Sequence, residues 1–273
     1  MSAWLDCQNI DTGGFKDYLG KRLSKSDARY MFNLCMKYSP VLKTGDAKEL
    51  LTLTDDKRRS VMRTLSHLAK FCGIYQRWLD IRKNYQLRWQ SSTKNLVMLD
   101  GLNVTDMLAY MREIKAILPE RYYAVFVYAC LTGLRAGEVF KSIGLIKTDL
   151  NSYYNNDKGI LEHYKFKELF LRSTKNAYIS FVTPNILDIA KKSDGNYNAI
   201  DRYLKRRGKE TKIGFGRKIF AATLHDKGIS TEIVDLLQGR VSATIFSQHY
   251  YRPSLHEQGE RIRALLKELE LEL

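Results

Sequence analysis

The sequence predicts a mainly α-helical protein with a small antiparallel β-sheet. Apolar side chains recur at steps of three and four residues through residues 15–90, and again over Val104–Ile117 and Tyr122–Leu131. This spacing places them on one stripe of a helix. The pattern changes to a strand-like period in residues 160–182. The helical patterns therefore set the fold class, and the sheet is a local addition.

The N-terminal region is predicted to be all helical. Ser26–Asp27 is typical of a helix start. Aromatic and basic residues alternate over residues 77–94, a mixture that suits a surface following phosphates. Its two tryptophans, Trp78 and Trp89, are predicted to be core anchors rather than base stackers.

The domain boundary is placed in the polar segment Ser91–Asn103, after which Thr105–Asp106 opens a new helix. This divides the chain into a helical N-terminal domain, residues 1–103, and a C-terminal domain, residues 104–273. The first carries 18 Lys and Arg against 10 Asp and Glu, and the second carries 27 against 20. Both domains are therefore basic, whereas a single basic tail would have left one of them neutral.

The sheet of the C-terminal domain is predicted from a hairpin. Glu168–Arg172 and Ala177–Val182 have the pattern of strands joined at Ser173–Asn176. Helical patterns resume near Ile186. The tail, Glu257–Leu273, is predicted to be an amphipathic helix that must bury its apolar stripe. It can cap its own domain or dock on a neighbouring protomer, and we favour the neighbour.

Composition excludes several classes of protein. With 44% hydrophobic and 27% charged residues, the 273-residue chain is not a disordered tail protein, and its four scattered cysteines exclude a disulfide scaffold. The cysteines form no CxxC pair and are expected to be reduced, as in a cytoplasmic protein. No apolar run reaches the length of a membrane span, so neither a membrane association nor a signal peptide is expected.

Charge is the most informative property of the composition. The 45 Lys and Arg exceed the 30 Asp and Glu, which gives a net charge of +15. Such an excess favours a polyanionic partner, and we expect nucleic acid. The alternative is a lysine-rich surface that serves solubility alone.

Five elements of the C-terminal domain carry functional information when they are considered together. The first, Leu131–Val139, contains Arg135 and, three residues later, Glu138; alone, such a pair is typical of an ordinary helix-surface ion pair. The others are Lys175 in the predicted hairpin, Phe215–Leu224 with Arg217 near its start, Val234–Arg240, and His249–Pro253.

In this order and context the five elements resemble the tyrosine recombinase (phage integrase) family, over residues 104–255. The sequence motifs QGR and HYYRP are most similar to those of archaeal virus and plasmid integrases. The resemblance implies a helical core-binding domain followed by a tyrosine recombinase catalytic domain.

The resemblance also implies a reaction. A tyrosine attacks a DNA phosphodiester and leaves a 3′-phosphotyrosyl link and a free 5′-hydroxyl, and no ATP is needed because the bond energy is kept in the covalent intermediate. By resemblance, Arg135 and Arg217 grip the non-bridging oxygens and stabilise their charge. They take the role that metal ions have in many nucleases, so no metal and no other cofactor is expected. Glu138 matches the acid that braces the second arginine, a supporting role.

Two further cations are assigned by the resemblance. Lys175 matches the lysine that reaches the scissile base pair and acts as general acid for the 5′-oxygen; Lys165 and Lys167, in the preceding strand region, are the alternatives. Arg240 matches a histidine position of the family. Because an arginine stays charged near neutral pH, it cannot shuttle protons, and its expected role is electrostatic.

Tyr250 is the expected nucleophile, and Tyr251 is the alternative. On a helix, adjacent side chains point about 100° apart, so one of the two faces the phosphate. The spacing from Arg240 and the preceding His249 favour Tyr250. A free phenol has a pKa of about 10, so the guanidinium cluster or a base must assist its deprotonation.

One position departs from the family pattern. Gly214 stands where the family has His or Lys three residues before the second arginine, and Lys212 is the candidate for this supporting role. Lys212 can instead be a DNA contact together with Lys205, Arg206 and Arg207.

The expected function is site-specific recombination that integrates and excises a mobile element. The expected partner is double-stranded DNA, as attachment sites and a Holliday junction, bound by a homo-tetramer. The alternatives are an Xer-like recombinase that resolves chromosome or plasmid dimers, a type IB topoisomerase-like relaxase, and a non-catalytic DNA-binding regulator on the same fold. A basic RNA-binding helical protein is a further interpretation, but the sequence has no RRM, KH or OB signature.

Overall fold

A computed structural model of the chain describes residues 11–89, 103–171, 175–240 and 255–273. These residues are mostly helical and include a three-stranded antiparallel sheet, which confirms the predicted fold class. The contacts divide the chain into two compact units, Met1–Gly101 and Leu102–Leu273. Each unit has its own hydrophobic core.

The first unit is helical throughout its described part. Its α2 begins at Lys25 because Ser24 caps it: Ser24 Oγ accepts a hydrogen bond from the Asp27 backbone N–H at 3.2 Å. The helices are α1 (Thr12–Gly20), α2 (Lys25–Tyr38), α3 (Pro40–Thr44), α4 (Lys48–Leu51), α5 (Asp55–Phe71) and α6 (Tyr75–Asn84).

The two predicted tryptophan anchors have different environments. Trp78 lies on α6 and is fully buried, as predicted. Trp89 is 43% exposed, with the Arg82 guanidinium 5.2 Å from its ring centre, so the prediction of a core position for Trp89 was wrong. The reason is that α6 ends at Asn84, and Leu87 takes the buried position of the segment that follows.

The second unit is built around one long buried helix. Residues Tyr123–Thr132 of that helix are all buried. The helices of this unit are α7 (Val104–Ile117), α8 (Glu120–Thr132), α9 (Ala136–Thr148), α10 (Leu150–Tyr153), α11 (Lys167–Phe170), α12 (Pro184–Lys192), α13 (Tyr197–Lys205), α14 (Gly214–Asp226), α15 (Thr231–Leu237) and α16 (Leu255–Glu272).

The sheet consists of three two-residue strands, β1 (Tyr154–Asn155), β2 (Ile160–Leu161) and β3 (Ser180–Phe181), in the order β1-β2-β3. Both pairings are antiparallel, with Tyr154 opposite Leu161 and Ile160 opposite Phe181. The residues of β2 and β3 are all buried, so the small sheet is part of the core of the second unit.

The first strand of the predicted hairpin is replaced by a helical turn, α11. Phe166 and Phe170 both pack their rings against Tyr153, with ring centres 5.4 and 6.0 Å away. Two side chains four residues apart meet one partner only when the backbone between them is helical. Leu171 then pairs with Asn176 in an isolated antiparallel bridge, so the chain still reverses direction here.

The amphipathic tail forms α16. Its stripe of Ile262, Leu266 and Leu269 is buried against the second unit itself. At the end of the helix, an oxygen of Leu273 accepts hydrogen bonds from the Tyr123 hydroxyl and from Lys115 Nζ, at 2.5 and 2.8 Å. The stripe is thus covered without a neighbouring protomer, contrary to the expectation from the sequence.

Among the described residues, no single helix is both long and apolar enough to span a membrane, although α8 and α9 would pass together by length and composition across their 105° bend.

Candidate functional site

Arg135 stands at the start of α9, where Glu138 holds it from two sides. The Arg135 backbone N–H donates to Glu138 Oε2 at 3.0 Å, and its Nη1 donates to Glu138 Oε1 at 2.9 Å. The Glu138 side chain is fully buried and the Arg135 side chain is 25% exposed. The local spacing of three residues on a first helical turn produces this contact. One edge of the Arg135 guanidinium is therefore held by Glu138, while the side chain remains partly exposed to solvent.

The turn before Arg135 contributes a backbone acceptor. Gly133 ends α8 in the left-handed region, with φ +65°, and a Cβ there would lie 2.5 Å from the Phe220 ring. Glycine therefore suits this position on both counts. Its carbonyl oxygen accepts a hydrogen bond from Arg217 Nη1 at 2.8 Å. The turn at Gly133 therefore leads directly into Arg135 and also binds Arg217.

Arg217 lies on the first turns of α14 and is bound to Gln238 at the end of α15. Arg217 Nη2 donates to the Gln238 carbonyl at 2.5 Å, and Gln238 Nε2 donates to the Arg217 carbonyl at 2.9 Å. Burial, followed by the positive charges of Arg135 and Arg240, lowers the pKa of Arg217 to about 10. The negative charges of Glu138 and Asp235 act in the opposite direction. Arg217 is therefore close enough to Arg135 and to Arg240 to be repelled by both.

Arg240 follows a tight helix end. Gly239 has φ +68° and donates its N–H to Leu236, while the Arg240 N–H donates to the Asp235 carbonyl at 2.8 Å. These are the two bonds of a Schellman motif. The Arg240 side chain is 61% exposed and forms an ion pair with Asp235 at 3.1 Å. Arg240 is thus the most accessible of the three arginines.

The segment after the chain reversal also contacts the arginine cluster. The carbonyl oxygen of Asn176 accepts a hydrogen bond from Arg135 Nη1 at 2.9 Å. Lys175, one residue earlier, is exposed. Of the two alternatives, Lys165 forms an ion pair with buried Glu162, which raises the pKa of Lys165, and Lys167 begins α11. The structure therefore brings the residue next to Lys175 into contact with Arg135.

Several predicted residues lie elsewhere or outside the described part. Tyr250 and its alternative Tyr251 fall between residues 240 and 255, outside the described residues. Lys212 is 3.5 Å from Glu210 and lies over the rings of Tyr110 and Phe215. Its contacts come from α7 and the start of α14, so the structure does not show it beside the arginines.

Gly214 and the basic run are both at the surface. Gly214 opens α14, and a Cβ there would have no atom within 4 Å, so a larger side chain would fit. Lys205 pairs with Asp201 at 2.8 Å, the Arg207 guanidinium stacks on Tyr203 at 3.7 Å, and Arg206 is exposed. The run lies at and just beyond the end of α13.

A buried polar network supports the Gly133 turn and was not predicted from the sequence. His163 is fully buried, with Nδ1 2.5 Å from the Tyr153 hydroxyl and Nε2 2.8 Å from Ser180 Oγ. Burial lowers the pKa of His163 to about 3, so its imidazole is neutral. Ser180 Oγ in turn donates to the Thr132 carbonyl at 3.4 Å, one residue before Gly133. The opposite end of the network contains Tyr128, Ser142 and Tyr153.

Sequence reasoning also missed the residues that act through their backbone or a neutral side chain. Gln238 and Asn176 carry no charge, and their residue types do not indicate that their carbonyls bind arginines. The glycines of the TGLR and QGR segments were the available signal. Within the described part of the chain, no cluster of three or more His, Cys, Asp or Glu side chains is arranged to hold a metal ion.

Comparison with known proteins gives the family. Residues 102–258 match the family model described as archaeal phage integrase. A search of curated proteins found no match. Among solved structures, the chain is similar to one titled "Crystal structure of XerA recombinase", at 14% identity and a TM-score of 0.32, over 92% of this chain and 97% of that chain. The family match spans more than half of the chain and includes all three arginines, Lys175 and Tyr250. The chain therefore belongs to the archaeal phage integrase family.

Proposed function

We propose that the protein is a site-specific DNA recombinase that cleaves and rejoins DNA through a 3′-phosphotyrosyl intermediate, and that it integrates and excises a mobile element. The observation that carries this proposal is the cluster of Arg135, Arg217 and Arg240. The Arg217 guanidinium is bound to the carbonyls of Gly133 and Gln238, which lie two residues before Arg135 and Arg240, respectively. Cations held this close together favour an anion between them. A DNA phosphate supplies that anion, and membership of the integrase family supports this choice.

The arginines keep donors for such a phosphate. Arg135 makes its two side-chain bonds through Nη1, and Arg217 makes its bonds through Nη1 and Nη2. A guanidinium has five N–H donors, so both side chains retain others for non-bridging oxygens. Because these donors are positioned before the substrate arrives, they stabilise the extra negative charge of the transition state without reorganisation.

In the proposed reaction, the Tyr250 oxygen forms a bond to phosphorus as the bond from phosphorus to the 5′-oxygen breaks. The phenol gives its proton to solvent water, and Lys175 gives a proton to the departing 5′-oxygen. Arg240 contributes charge only. Attack of a 5′-hydroxyl on the phosphotyrosine reverses these steps and joins the strands, so ATP is not consumed. Glu138 keeps Arg135 in place, and Lys212 has the supporting role left open by Gly214.

Binding to the duplex is assigned to exposed basic residues. Lys205, Arg206 and Arg207 are exposed on the second unit and are proposed to contact phosphates. A homo-tetramer on two attachment sites, passing through a Holliday junction, would complete strand exchange.

Covalent trapping on a nicked suicide duplex tests the proposal. The duplex is selected by the wild-type protein from a randomised nicked library, by repeated recovery of protein–DNA adducts that survive SDS without added metal. We expect an adduct with wild type and with Tyr251→Phe, and none with Tyr250→Phe. Loss in Tyr251→Phe alone would move the nucleophile by one residue.

Two further outcomes would replace the proposed role. DNA binding without an adduct from any variant would favour the non-catalytic regulator. Relaxation of supercoiled DNA without exchange between two selected sites would favour the topoisomerase-like relaxase.

A further inference from the structure

We propose that Gln238 is a positioning residue for the arginine cluster, and that its side-chain amide holds Arg217 in the geometry that the reaction needs. The inference rests on the proposed function, which gives Arg217 its role. It adds to that function a neutral residue whose residue type does not indicate a role in positioning Arg217.

The contact between these residues is reciprocal. The Gln238 carbonyl accepts from the Arg217 guanidinium at 2.5 Å, and the Gln238 amide donates to the Arg217 carbonyl at 2.9 Å. Each side chain therefore binds the other residue's backbone, which closes a ring of two hydrogen bonds between α14 and the end of α15. Gln238 is 4% exposed, so water does not compete for these bonds.

The side-chain amide determines where the Gln238 carbonyl lies. Gln238 is the last residue before the turn of Gly239 and Arg240, and its own N–H is bound to Val234 at 2.9 Å. Without the amide bond to Arg217, the end of α15 keeps its internal bonds but loses a tether to α14. Its carbonyl would then follow the movements of α15 rather than those of Arg217.

The same tether reaches the other two arginines. Gly239 packs against the Asn176 carbonyl, the acceptor for Arg135 Nη1, and Arg240 is the next residue. A shift of the Gln238 turn therefore changes the position of Arg240 directly and that of Arg135 through Asn176. A positioning role for Gln238 follows from its place between these three side chains.

The competing explanation is that Gln238 fills space in the core. Leucine has a similar volume, so under that explanation Gln238→Leu would leave the cleavage rate of the folded protein unchanged, whatever the lost hydrogen bond costs in stability. In a positioning role the same substitution slows cleavage while the protein stays folded and bound to DNA. Ile233→Ala on the same helix is the matched control, because Ile233 is 2% exposed and its truncation weakens the packing of α15 without removing a bond to Arg217.

The experiment measures the single-turnover rate of adduct formation at saturating duplex, DNA affinity and thermal unfolding for wild type, Gln238→Leu, Ile233→Ala and Arg217→Ala. Each protein is given the duplex selected by wild type, with either a phosphodiester or a methylphosphonate at the scissile position. A methylphosphonate has a methyl group in place of one charged oxygen, so its transition state needs less help from a guanidinium.

For Gln238→Leu we expect the rate on the phosphodiester to fall about 10- to 100-fold, the range found for residues that orient metal ligands, applied here to a residue that orients a guanidinium. The defect should shrink on the methylphosphonate, as it should for Arg217→Ala, while affinity stays within about threefold of wild type. Ile233→Ala should lower the unfolding temperature and affect both substrates equally. A Gln238→Leu rate equal to wild type, or equal losses on both substrates, would overturn the positioning role but not the recombinase. A wild-type protein that forms no adduct would overturn both.

Discussion

The α-carbon of Gly239 lies directly against the carbonyl of Asn176: a Cβ built on Gly239 would fall 1.6 Å from that oxygen. The same oxygen accepts the hydrogen bond from Arg135 Nη1. Gly239 also has φ +68°, a region that favours glycine. One backbone contact therefore joins the turn before Arg240 to the segment after Lys175 and, through Asn176, to Arg135.

Replacing this glycine should separate the two segments. Gly239→Ala adds an overlap with the Asn176 carbonyl to the cost of the left-handed conformation. Gly208→Ala is the matched control, because Gly208 has φ +69° in the same unit and no atom within 4 Å of its Cβ position. We expect Gly208→Ala to lower the free energy of unfolding by about 1 kcal/mol. Gly239→Ala should cost about 1–3 kcal/mol more, the usual range for overpacking.

Urea unfolding followed by circular dichroism measures these two costs, and covalent trapping measures the site. Gly239→Ala should also abolish adduct formation, because its turn moves away from Asn176 and carries Arg240 with it. Equal unfolding free energies for the two variants would contradict the close approach of Gly239 to Asn176.

Local patterns in the sequence predicted what depends on neighbours along the chain. The Arg135 and Glu138 pair was visible because three residues on a helix start place both side chains together, and the structure has this ion pair. The predicted helical stretch Val104–Ile117 coincides with the observed helix, whose start Asn103 and Asp106 cap reciprocally. In both cases the decisive interaction lies within one helical turn.

Other features depend on interactions distant in sequence and were missed for that reason. Phe166 and Phe170 adopt a helical turn because Tyr153 lies beneath them, which an alternating strand pattern does not reveal. Gln238 holds Arg217 across 21 residues, and His163 reaches Ser180 across 17. The side chains that carry charge could be identified from the sequence, whereas the neutral groups that hold them required the packing.

A titratable side chain at position 240 should introduce a pH dependence. Arginine stays charged between pH 5 and 8, whereas histidine loses its charge near a pKa of about 6.5. In Arg240→His, Asp235 would favour the charged imidazole, because it lies 3.1 Å from the present guanidinium. We expect adduct formation by Arg240→His to approach the wild-type rate at pH 5.5 and to fall about 10-fold or more by pH 8.5. This decrease is smaller than the roughly 100- to 1000-fold loss from removing a charge-stabilising donor altogether, because a neutral imidazole keeps one N–H donor.

The measurement is the ratio of wild-type to variant rates across this range, which cancels the titration of the nucleophile. Arg240→Lys is the control that keeps the charge, and its ratio should stay constant. A constant ratio for Arg240→His as well would mean that the charge at this position does not contribute to cleavage.

The basic run after α13 should determine part of the salt dependence of DNA binding. A protein that binds one phosphate fewer should have a slope of log affinity against log salt concentration that is shallower by about 0.9. We therefore expect Arg206→Ala to make the slope shallower by about this amount. Lys191→Ala removes the same charge from an exposed lysine paired with Asp188, at a position outside the proposed interface, and should leave the slope unchanged. Fluorescence anisotropy with a labelled duplex at several salt concentrations measures both, and equal slopes for Arg206→Ala and wild type would remove Arg206 from the interface.

His163 should make the second unit less stable in acid. Its pKa is lowered to about 3 in the folded protein because the imidazole is fully buried, whereas an unfolded histidine titrates at about 6.5. Between these values the unfolded state binds a proton that the folded state does not. The contribution of His163 to stability is therefore complete above pH 6.5 and declines as the pH falls, by up to about 1.4 kcal/mol per pH unit.

His163→Gln isolates this contribution because glutamine cannot gain the proton. The variant should be less stable than wild type at pH 7.5, because the bonds to Tyr153 and Ser180 are removed, and the difference should narrow by about 2 kcal/mol at pH 5. Hydrogen exchange across α8 and α9 follows the second unit, whereas all three tryptophans, Trp4, Trp78 and Trp89, lie in the first. Their fluorescence transition should have the same pH dependence in both proteins. The contrary outcome is a stability difference in α8 and α9 that stays constant from pH 7.5 to 5. It would show that His163 is protonated as readily in the folded protein as in the unfolded chain, and therefore that its imidazole is not kept neutral beneath the Gly133 turn.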